Sequence, residues 1–271
     1  MAGKLEGKVA FITGIARGQG RSHAVRLAQE GADIIGVDIC RQVETVPYAT
    51  ATPEDLAETV RQVESLDRRI IATEVDIRDG AALKQAADDG VAQLGRLDIV
   101  LANAGISTMH STVDMPDEVW DTMIDINLSG QFKTIRATVP HIIAGDRGGA
   151  VVITSSLAAM KANANIAHYT AAKSGQVLAL ELAPHRIRVN TVHPTTVNTD
   201  MVLNEPTYKL FRPDLEHPTR EDYEVAARTL NKLPTAGLDP VDISNAILYL
   251  VSDDGRFVTG TTHVVSAGGQ L

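Results

Sequence analysis

The chain has 271 residues and a formal net charge of −9, which argues against nucleic acid or an anionic membrane as a partner, since both reward a basic face. Hydrophobic residues make up 44%, enough for a buried sheet, while aromatics at 4% point to a core of Ala, Val, Ile and Leu. Cys40 is the single cysteine, so no intrachain disulfide can form and a reducing setting fits.

Strand and helix patterns alternate along the chain, which predicts one α/β domain over 1–271 with a doubly wound, seven-stranded parallel sheet of the Rossmann type. Strands are expected near 8–13, 33–38, 69–75, 97–102, 149–154, 187–192 and 262–266. Helices are expected over 18–31, 53–66, 79–95, 116–126, 127–145, 168–184 and 239–252, with Pro53 and Pro116 in first turns. Such an architecture places ligands at the carboxyl ends of the strands.

The first strand, Val9 to Thr13, runs into Gly14, Gly18 and Gly20, with Arg17 and Gln19 between them. This Gly-x-x-x-Gly-x-Gly turn lets the backbone approach a pyrophosphate and aims the next helix's amino terminus at it. It is neither Gly-x-Gly-x-x-Gly nor a P-loop, because no Gly-Lys-Ser/Thr closes it. The second strand ends at Asp38, followed by Ile39, where a carboxylate can accept hydrogen bonds from the adenosine ribose hydroxyls and repel a 2′-phosphate. Arg17 argues the other way, as a cation that could contact the 2′-phosphate of NADP. Asp38 decides for NAD.

Asn103, Ala104 and Gly105 follow the apolar LDIVL strand, so Gly105 can let the backbone pass close to a cofactor while Asn103 tethers the neighbouring strand. Asn127 falls inside a helical stretch, where asparagine competes with the backbone for hydrogen bonds, and that cost suggests a role. Tyr169 lies thirteen positions after Ser156, and Lys173 four after Tyr169, so a hydroxyl, a phenol and an ammonium can converge. Spacing of i to i+4 stacks Tyr169 and Lys173 on one helix face. A cation there favours the phenolate and lowers the tyrosine value, which makes Tyr169 a usable general acid/base. Tyr-x-x-x-Lys alone also occurs as an ordinary surface pair, so its context carries the argument. Pro194, Val197 and Thr199 follow a strand end, where backbone groups and Thr199 could fix a nicotinamide carboxamide. From about 197 to 233 the pattern breaks, with Pro206, Pro213 and Pro218, Pro234 just beyond, and the aromatics Tyr208, Phe211 and Tyr223, which reads as a lid. Met109, His110, Met115, Met160 and Leu203 are candidate pocket residues that could equally be core.

TGIARGQG, Asp76 in EVDIRD, Asn103-Ala104-Gly105, Asn127 in INLSG, Ser156, Tyr169-x-x-x-Lys173 and His193-Pro194 resemble, in order and spacing, the short-chain dehydrogenase/reductase family over nearly the whole chain. The long passage between Asp38 and Asp76, together with HPTTVNTDM, is similar to the carveol-dehydrogenase-like group, whose members are associated with mycofactocin and hold NAD tightly. The resemblance implies Asp76 and Ile77 beside the adenine, Asn127 kinking its helix and holding a water near the lysine, the 197–233 segment closing over substrate, and a homotetramer.

Ile187 follows Lys173 by fourteen positions, about five fewer than the resemblance leads one to expect, equivalent to about 7.5 Å of helix. Two explanations stay open at this point: a true deletion that alters assembly, or a gap of disordered residues between about Ser174 and Leu178.

The expected function is hydride transfer between NAD and a secondary alcohol or ketone. Tyr169 would act as acid/base, Lys173 would tune it and bind the nicotinamide ribose, Ser156 would bond the substrate oxygen, and Asn127 would connect the lysine to solvent. A non-catalytic NAD-sensing protein could keep the glycine turn and Asp38 but would not need Ser156, Tyr169 and Lys173 together. An epimerase or dehydratase would want a larger substrate domain. No His or Cys pair has a metal-ligand spacing. The MAGKLEGKVAF start has no apolar signal region, and no stretch reaches the ~20 apolar residues of a membrane span, so a cytoplasmic protein without a membrane partner is expected.

Overall fold

Short apolar strands alternating with amphipathic helices form one parallel sheet in the computed structural model, which describes residues 3–161, 164–173 and 179–271. The strands are β1 (Val9–Thr13), β2 (Asp33–Asp38), β3 (Ile70–Glu74), β4 (Ile99–Ala102), β5 (Gly149–Thr154), β6 (Ile187–Pro194) and β7 (Thr262–Val265). They lie in the order β3-β2-β1-β4-β5-β6-β7, every neighbouring pair parallel. The helices are α1 (Gly18–Gln29), α2 (Pro53–Glu64), α3 (Gly80–Leu94), α4 (Asp117–Ile124), α5 (Gln131–Gly145), α6 (Ala167–Lys173), α7 (Ala179–Leu182), α8 (Glu205–Phe211), α9 (Arg220–Ala227) and α10 (Pro240–Val251).

Successive strand side chains leave opposite faces of the sheet, so two cores form. Val9, Phe11, Ile35 and Val37 pack with Leu83 of α3, Met123 of α4 and Ile135 and Val139 of α5. Ala10, Ile12 and Ile34 pack on the other side with Leu27 of α1, Val63 of α2 and Ile243 and Ile247 of α10. Each fully buried large aliphatic side chain contributes roughly 1.5–3 kcal/mol. The chain winds outward in both directions from the β1·β4 pair, and at that reversal the loops after β1 and β4 diverge to leave a crevice at their carboxyl ends.

Helix starts are written locally. Thr52 and Asp55 form a reciprocal capping box ahead of α2, with Asp55 N donating to Thr52 Oγ1 at 3.2 Å, Thr52 N donating to Asp55 Oδ2 at 3.0 Å, and Pro53 in the first turn. Thr219 with Asp222, and Asp239 with Asp242, do the same for α9 and α10. Pro116, expected inside a first turn, stands one position earlier as the N-cap of α4, with an extended ψ of 143°. The 127–145 helix is longer than expected at its start. Residues Asp125–Gly130 form a π-helical stretch that joins α4 to α5, so the perturbation expected around Asn127 is a bulge in a continuous helix.

The expected helix over 168–184 is represented by α6 and α7, and the shortened interval after Lys173 falls on 174–178, outside the described residues. The 197–233 segment is less irregular than expected, because it contains α8 and α9. Among the described residues no helix is long and apolar enough to cross a membrane.

Candidate active site

The turn between β1 and α1 is closed by backbone packing. Gly14 has φ +69°, and a Cβ on Gly20 would stand 1.8 Å from the Gly14 carbonyl oxygen, so no side chain fits there. The α1 N-cap, Arg17, makes no side-chain cap, so the first-turn N–H groups are left to an outside acceptor. These groups line a cavity together with Gln19, Asp38, Ile39, Asp76, Ile77, Asn103, Ala104, Gly105 and Thr199. Asp38 is 7% exposed; its Oδ2 accepts from Ala16 N at 2.9 Å and its Oδ1 from Cys40 N at 3.3 Å. Burial, the largest influence, pushes its carboxyl up, while those backbone donors and Arg17 oppose the shift. A cradle with free helix donors and a carboxylate at the β2 end fits a dinucleotide that lacks a 2′-phosphate, such as NAD.

Asp76 faces this cavity with its carboxylate already occupied. Arg78 grips it, with Nη2 at 2.7 Å from Oδ2, and Arg41 Nη2 stands 3.1 Å from the same oxygen. Burial raises the carboxyl, but the Arg78 and Arg41 bonds together hold it below the usual range. Asn103 is a tether in both directions: its Nδ2 donates to Thr13 O at 3.0 Å, and its Oδ1 accepts from Thr154 Oγ1 at 3.3 Å, joining β1, β4 and β5.

A second cavity of about 460 Å³ shares Gln19, Asn103, Gly105 and Thr199 with the first and brings in Ser156, Tyr169, Lys173, Pro194 and Val197. Ser156 caps the 3-10 turn Leu157–Ala159, its Oγ accepting from Ala158 N at 3.1 Å. That bond uses a lone pair and leaves the hydroxyl proton to donate into the cavity that Ser156 and Tyr169 both line. Lys173 is 5% exposed; Nζ donates to Thr154 O at 2.8 Å and stands 5.8 Å from the Tyr169 ring centroid, and its carbonyl accepts from Ser155 Oγ at 2.6 Å.

The expected electrostatics need a correction. Burial holds the Tyr169 phenol above its usual value, opposed by the Ser156 hydrogen bond, and burial likewise pushes Lys173 down to about 8. Desolvation governs both groups, and the ammonium is directed at the Thr154 carbonyl.

Asn127 lines neither cavity. Its Oδ1 accepts from Ile106 N and its Nδ2 donates to Ile106 O, both at 2.8 Å, clamping the loop after β4 to the π-helical stretch. Gly105 makes the approach possible, since a Cβ there would lie 2.9 Å from Asn127 Oδ1 and 3.2 Å from Lys173 Nζ.

Of the five candidate pocket residues only Met109 lines the second cavity; Met160 is 54% exposed. The apolar wall comes from Ile166, Met201, Val202, Leu210, Phe211 and Leu230, most of them on or beside α8 and α9. Phe211 and Tyr223 meet edge to face at 5.0 Å, which joins the two helices. The first cavity also takes Tyr48, whose Oη accepts from Ser107 N at 3.1 Å and whose phenol burial pushes up to about 12. Tyr48 is the one aromatic between Asp38 and Thr52, and that isolation was its only signal.

A doubly wound sheet with a glycine cradle at its switch point, and a serine, tyrosine and lysine in the adjoining cavity, defines a dinucleotide-binding site continuous with a proton-transfer site. The chain belongs to the short-chain dehydrogenase family, whose model matches residues 8–208. It is 53% identical to the (-)-trans-carveol dehydrogenase of Rhodococcus erythropolis over 274 aligned positions, covering 99% of each chain. Among solved structures it is 54% identical to carveol dehydrogenase from Mycobacterium avium in complex with NAD, with a TM-score of 0.97 over 98% of this chain and 99% of that one. A short-chain dehydrogenase from Mycobacterium paratuberculosis bound to NAD is 44% identical, with a TM-score of 0.90 over 99% of both chains.

Proposed function

We propose that the chain is an NAD-dependent oxidoreductase acting on the CH–OH group of an apolar alicyclic, terpenoid-like alcohol, or on the corresponding ketone. The observation that carries this is the continuity of the two cavities, because Gln19, Gly105 and Thr199 line both the cradle and the space holding Ser156 and Tyr169. The carveol dehydrogenases at 53% and 54% identity, one in complex with NAD, support the cofactor and the alicyclic substrate. The apolar wall of Ile166, Val202, Leu210 and Phe211 suits a hydrocarbon ring.

When bound, NAD supplies the hydride acceptor for oxidation and its reduced form the donor for reduction. The chain's own residues handle the proton and the orientation. Tyr169 takes the alcohol proton as the carbon–hydrogen bond breaks and returns it to the ketone oxygen in reverse. Ser156, its lone pair held by Ala158 N–H, directs its proton at the substrate oxygen as charge develops. Lys173 stabilises the phenolate as it forms and binds the nicotinamide ribose. Asn127 keeps the Ile106 backbone and the lysine pocket in register. Asp38, Ile39, Asp76, Ile77 and the Gly14–Gly20 turn bind the adenosine and pyrophosphate side, while Pro194, Val197 and Thr199 bind the carboxamide side. Residues 197–233, with α8 and α9, act as the lid.

A homotetramer in the cytoplasm completes the proposal. The large apolar side chains left exposed at Trp120, Phe132 and Phe257 support assembly, and analytical ultracentrifugation decides it.

The test joins mass spectrometry of the denatured protein, to see whether NAD co-purifies, with an alicyclic alcohol panel and an artificial electron acceptor. Tyr169→Phe should lower kcat by about a thousandfold while NAD affinity is kept. A variant that oxidised the alcohol at the wild-type rate would remove Tyr169 from the chemistry.

A further inference from the structure

His193 stands near the carboxyl end of β6, 3% exposed, with both ring nitrogens engaged. Nδ1 lies 2.9 Å from the main-chain carbonyl oxygen of Ser156. A carbonyl can only accept, so Nδ1 carries the proton. Nε2 is then an acceptor, and Thr191 Oγ1, 2.9 Å away, donates to it. The competing acceptor for that hydroxyl, the Thr261 carbonyl, is farther at 3.4 Å. Burial, foremost, holds the imidazole below its usual value; the Lys173 charge adds to this and the Ser156 carbonyl opposes it, so the ring is neutral at working pH.

The partner matters because of what Ser156 does at its other end. Ser156 is extended, with φ −160° and ψ 156°, and joins the end of β5 to the Leu157–Ala159 turn. Its Oγ accepts from Ala158 N–H on one side, so the direction of the remaining O–H depends on how this single residue is rotated. The carbonyl of the same residue is the point at which that rotation can be held: Ala159 N–H reaches it at 3.1 Å from within the turn, no strand ladder holds it because β5 ends at Thr154, and His193 Nδ1–H is the donor that ties it to β6.

We propose that His193 is a positioning residue for Ser156: its Nδ1–H, oriented by Thr191, fixes the Ser156 carbonyl and thereby aims the serine hydroxyl at the substrate oxygen. The inference rests on the catalytic role proposed above for Ser156. His193 touches neither substrate nor cofactor, and its effect passes through the serine.

Two measurements test it, and one needs no turnover. In a spectrum of ¹⁵N-histidine-labelled protein, His193 should be the neutral Nδ1–H tautomer at about pH 7.5 and above. An Nε2–H tautomer overturns the proposal whether or not any alcohol is oxidised. In kinetics, His193→Leu should lower kcat for the alcohol by about ten- to a hundredfold, with the NAD dissociation constant within about twofold of wild type. His193→Asn, which returns an N–H near the Nδ1 position, should recover most of the loss. A His193→Leu enzyme with kcat within about twofold of wild type overturns the proposal, as does parallel loss of NAD affinity that His193→Asn fails to rescue. If His193→Leu does not fold, Thr191→Val replaces it: a three- to tenfold drop, roughly, supports the assignment, and wild-type kcat overturns it. Wild-type protein that oxidises no alcohol would sink the proposed activity, and the tautomer would still decide the geometry.

Discussion

Arg17 Nη1 and Asp200 Oδ2 are 3.0 Å apart, an ion pair that joins the glycine turn to the segment after β6 across the rim of the first cavity. The second guanidinium nitrogen of Arg17 donates to the Ala49 carbonyl, so one side chain ties three parts of the rim. So engaged, the Arg17 guanidinium is not a free cation at this rim. Asp200 is 68% exposed, and such a pair contributes at most about 1 kcal/mol. Asp200→Asn should therefore speed NAD release by about two- to fivefold in a stopped-flow displacement experiment. An unchanged release rate would mean the rim pair has no part in retaining the cofactor.

Asp38 is the proposed discriminator between the two dinucleotides, and its carboxylate is already anchored by Ala16 N and Cys40 N. Asp38→Asn removes the charge and keeps an acceptor for the shorter of those bonds, from Ala16 N. The preference for NAD over NADP, taken as a ratio of kcat/KM, should narrow by about tenfold, or ~1.4 kcal/mol. A ratio that stayed put would shift the discrimination elsewhere on the rim.

Gly105 is the point where the cofactor loop meets both Asn127 and Lys173. In Gly105→Ala the methyl arrives 2.9 Å from Asn127 Oδ1, a group committed at 2.8 Å to Ile106 N. Overpacking of this kind costs about 1–3 kcal/mol, read from urea unfolding, and displacement of the lysine should lower kcat by more than about tenfold. As a comparison, Gly7→Ala has nothing within 4 Å and only its φ of +70° to strain it, so activity should survive. Equal loss of activity in both variants would count against a steric role at Gly105.

Lys173 gives a pH signature with a definite sign. Its ammonium is held near 8 in the fold against 10.5 when unfolded. Below about pH 8 both states are protonated and the folded state carries the full burial penalty. Between about 8 and 10.5 the folded state has released a proton that the unfolded chain still binds, so stability rises with pH, by at most about 3 kcal/mol. Tyr169, with its value raised, acts in the opposite sense only above about pH 10. Protein stripped of NAD should thus need more urea at pH 9.5 than at pH 7.5, and Lys173→Met should flatten the profile. A wild-type profile as flat as the variant's would contradict the burial of a charged amine.

Much of this site could be read from the chain because its parts are local. Gly14, Gly18 and Gly20 sit within one turn, Asp38 ends the next strand, and Tyr169 and Lys173 share a helix face. The strand boundaries followed from apolar runs, with β2 and β5 matching their expected residues. The capping boxes at Thr219 and Asp239 were equally local signals, and the first of them, unused, would have revealed α9 inside the 197–233 segment. Pocket residues were a different matter. Met109 reaches the cavity while Met160, on the 3-10 turn that Ser156 starts, points to solvent, and no periodicity separates them.

The sequence by itself determined the alternation of elements, the dinucleotide turn and the pairing of Tyr169 with Lys173, because each depends on spacing within one or two elements. Only the tertiary structure decided what those groups face. Lys173 meets the Thr154 carbonyl, Asn127 clamps Ile106, Tyr48 reaches Ser107 and His193 reaches Ser156, all contacts between separate elements. Such contacts leave no period in the chain, and burial in their midst, which no single residue carries, is what moves the tyrosine up and the lysine down.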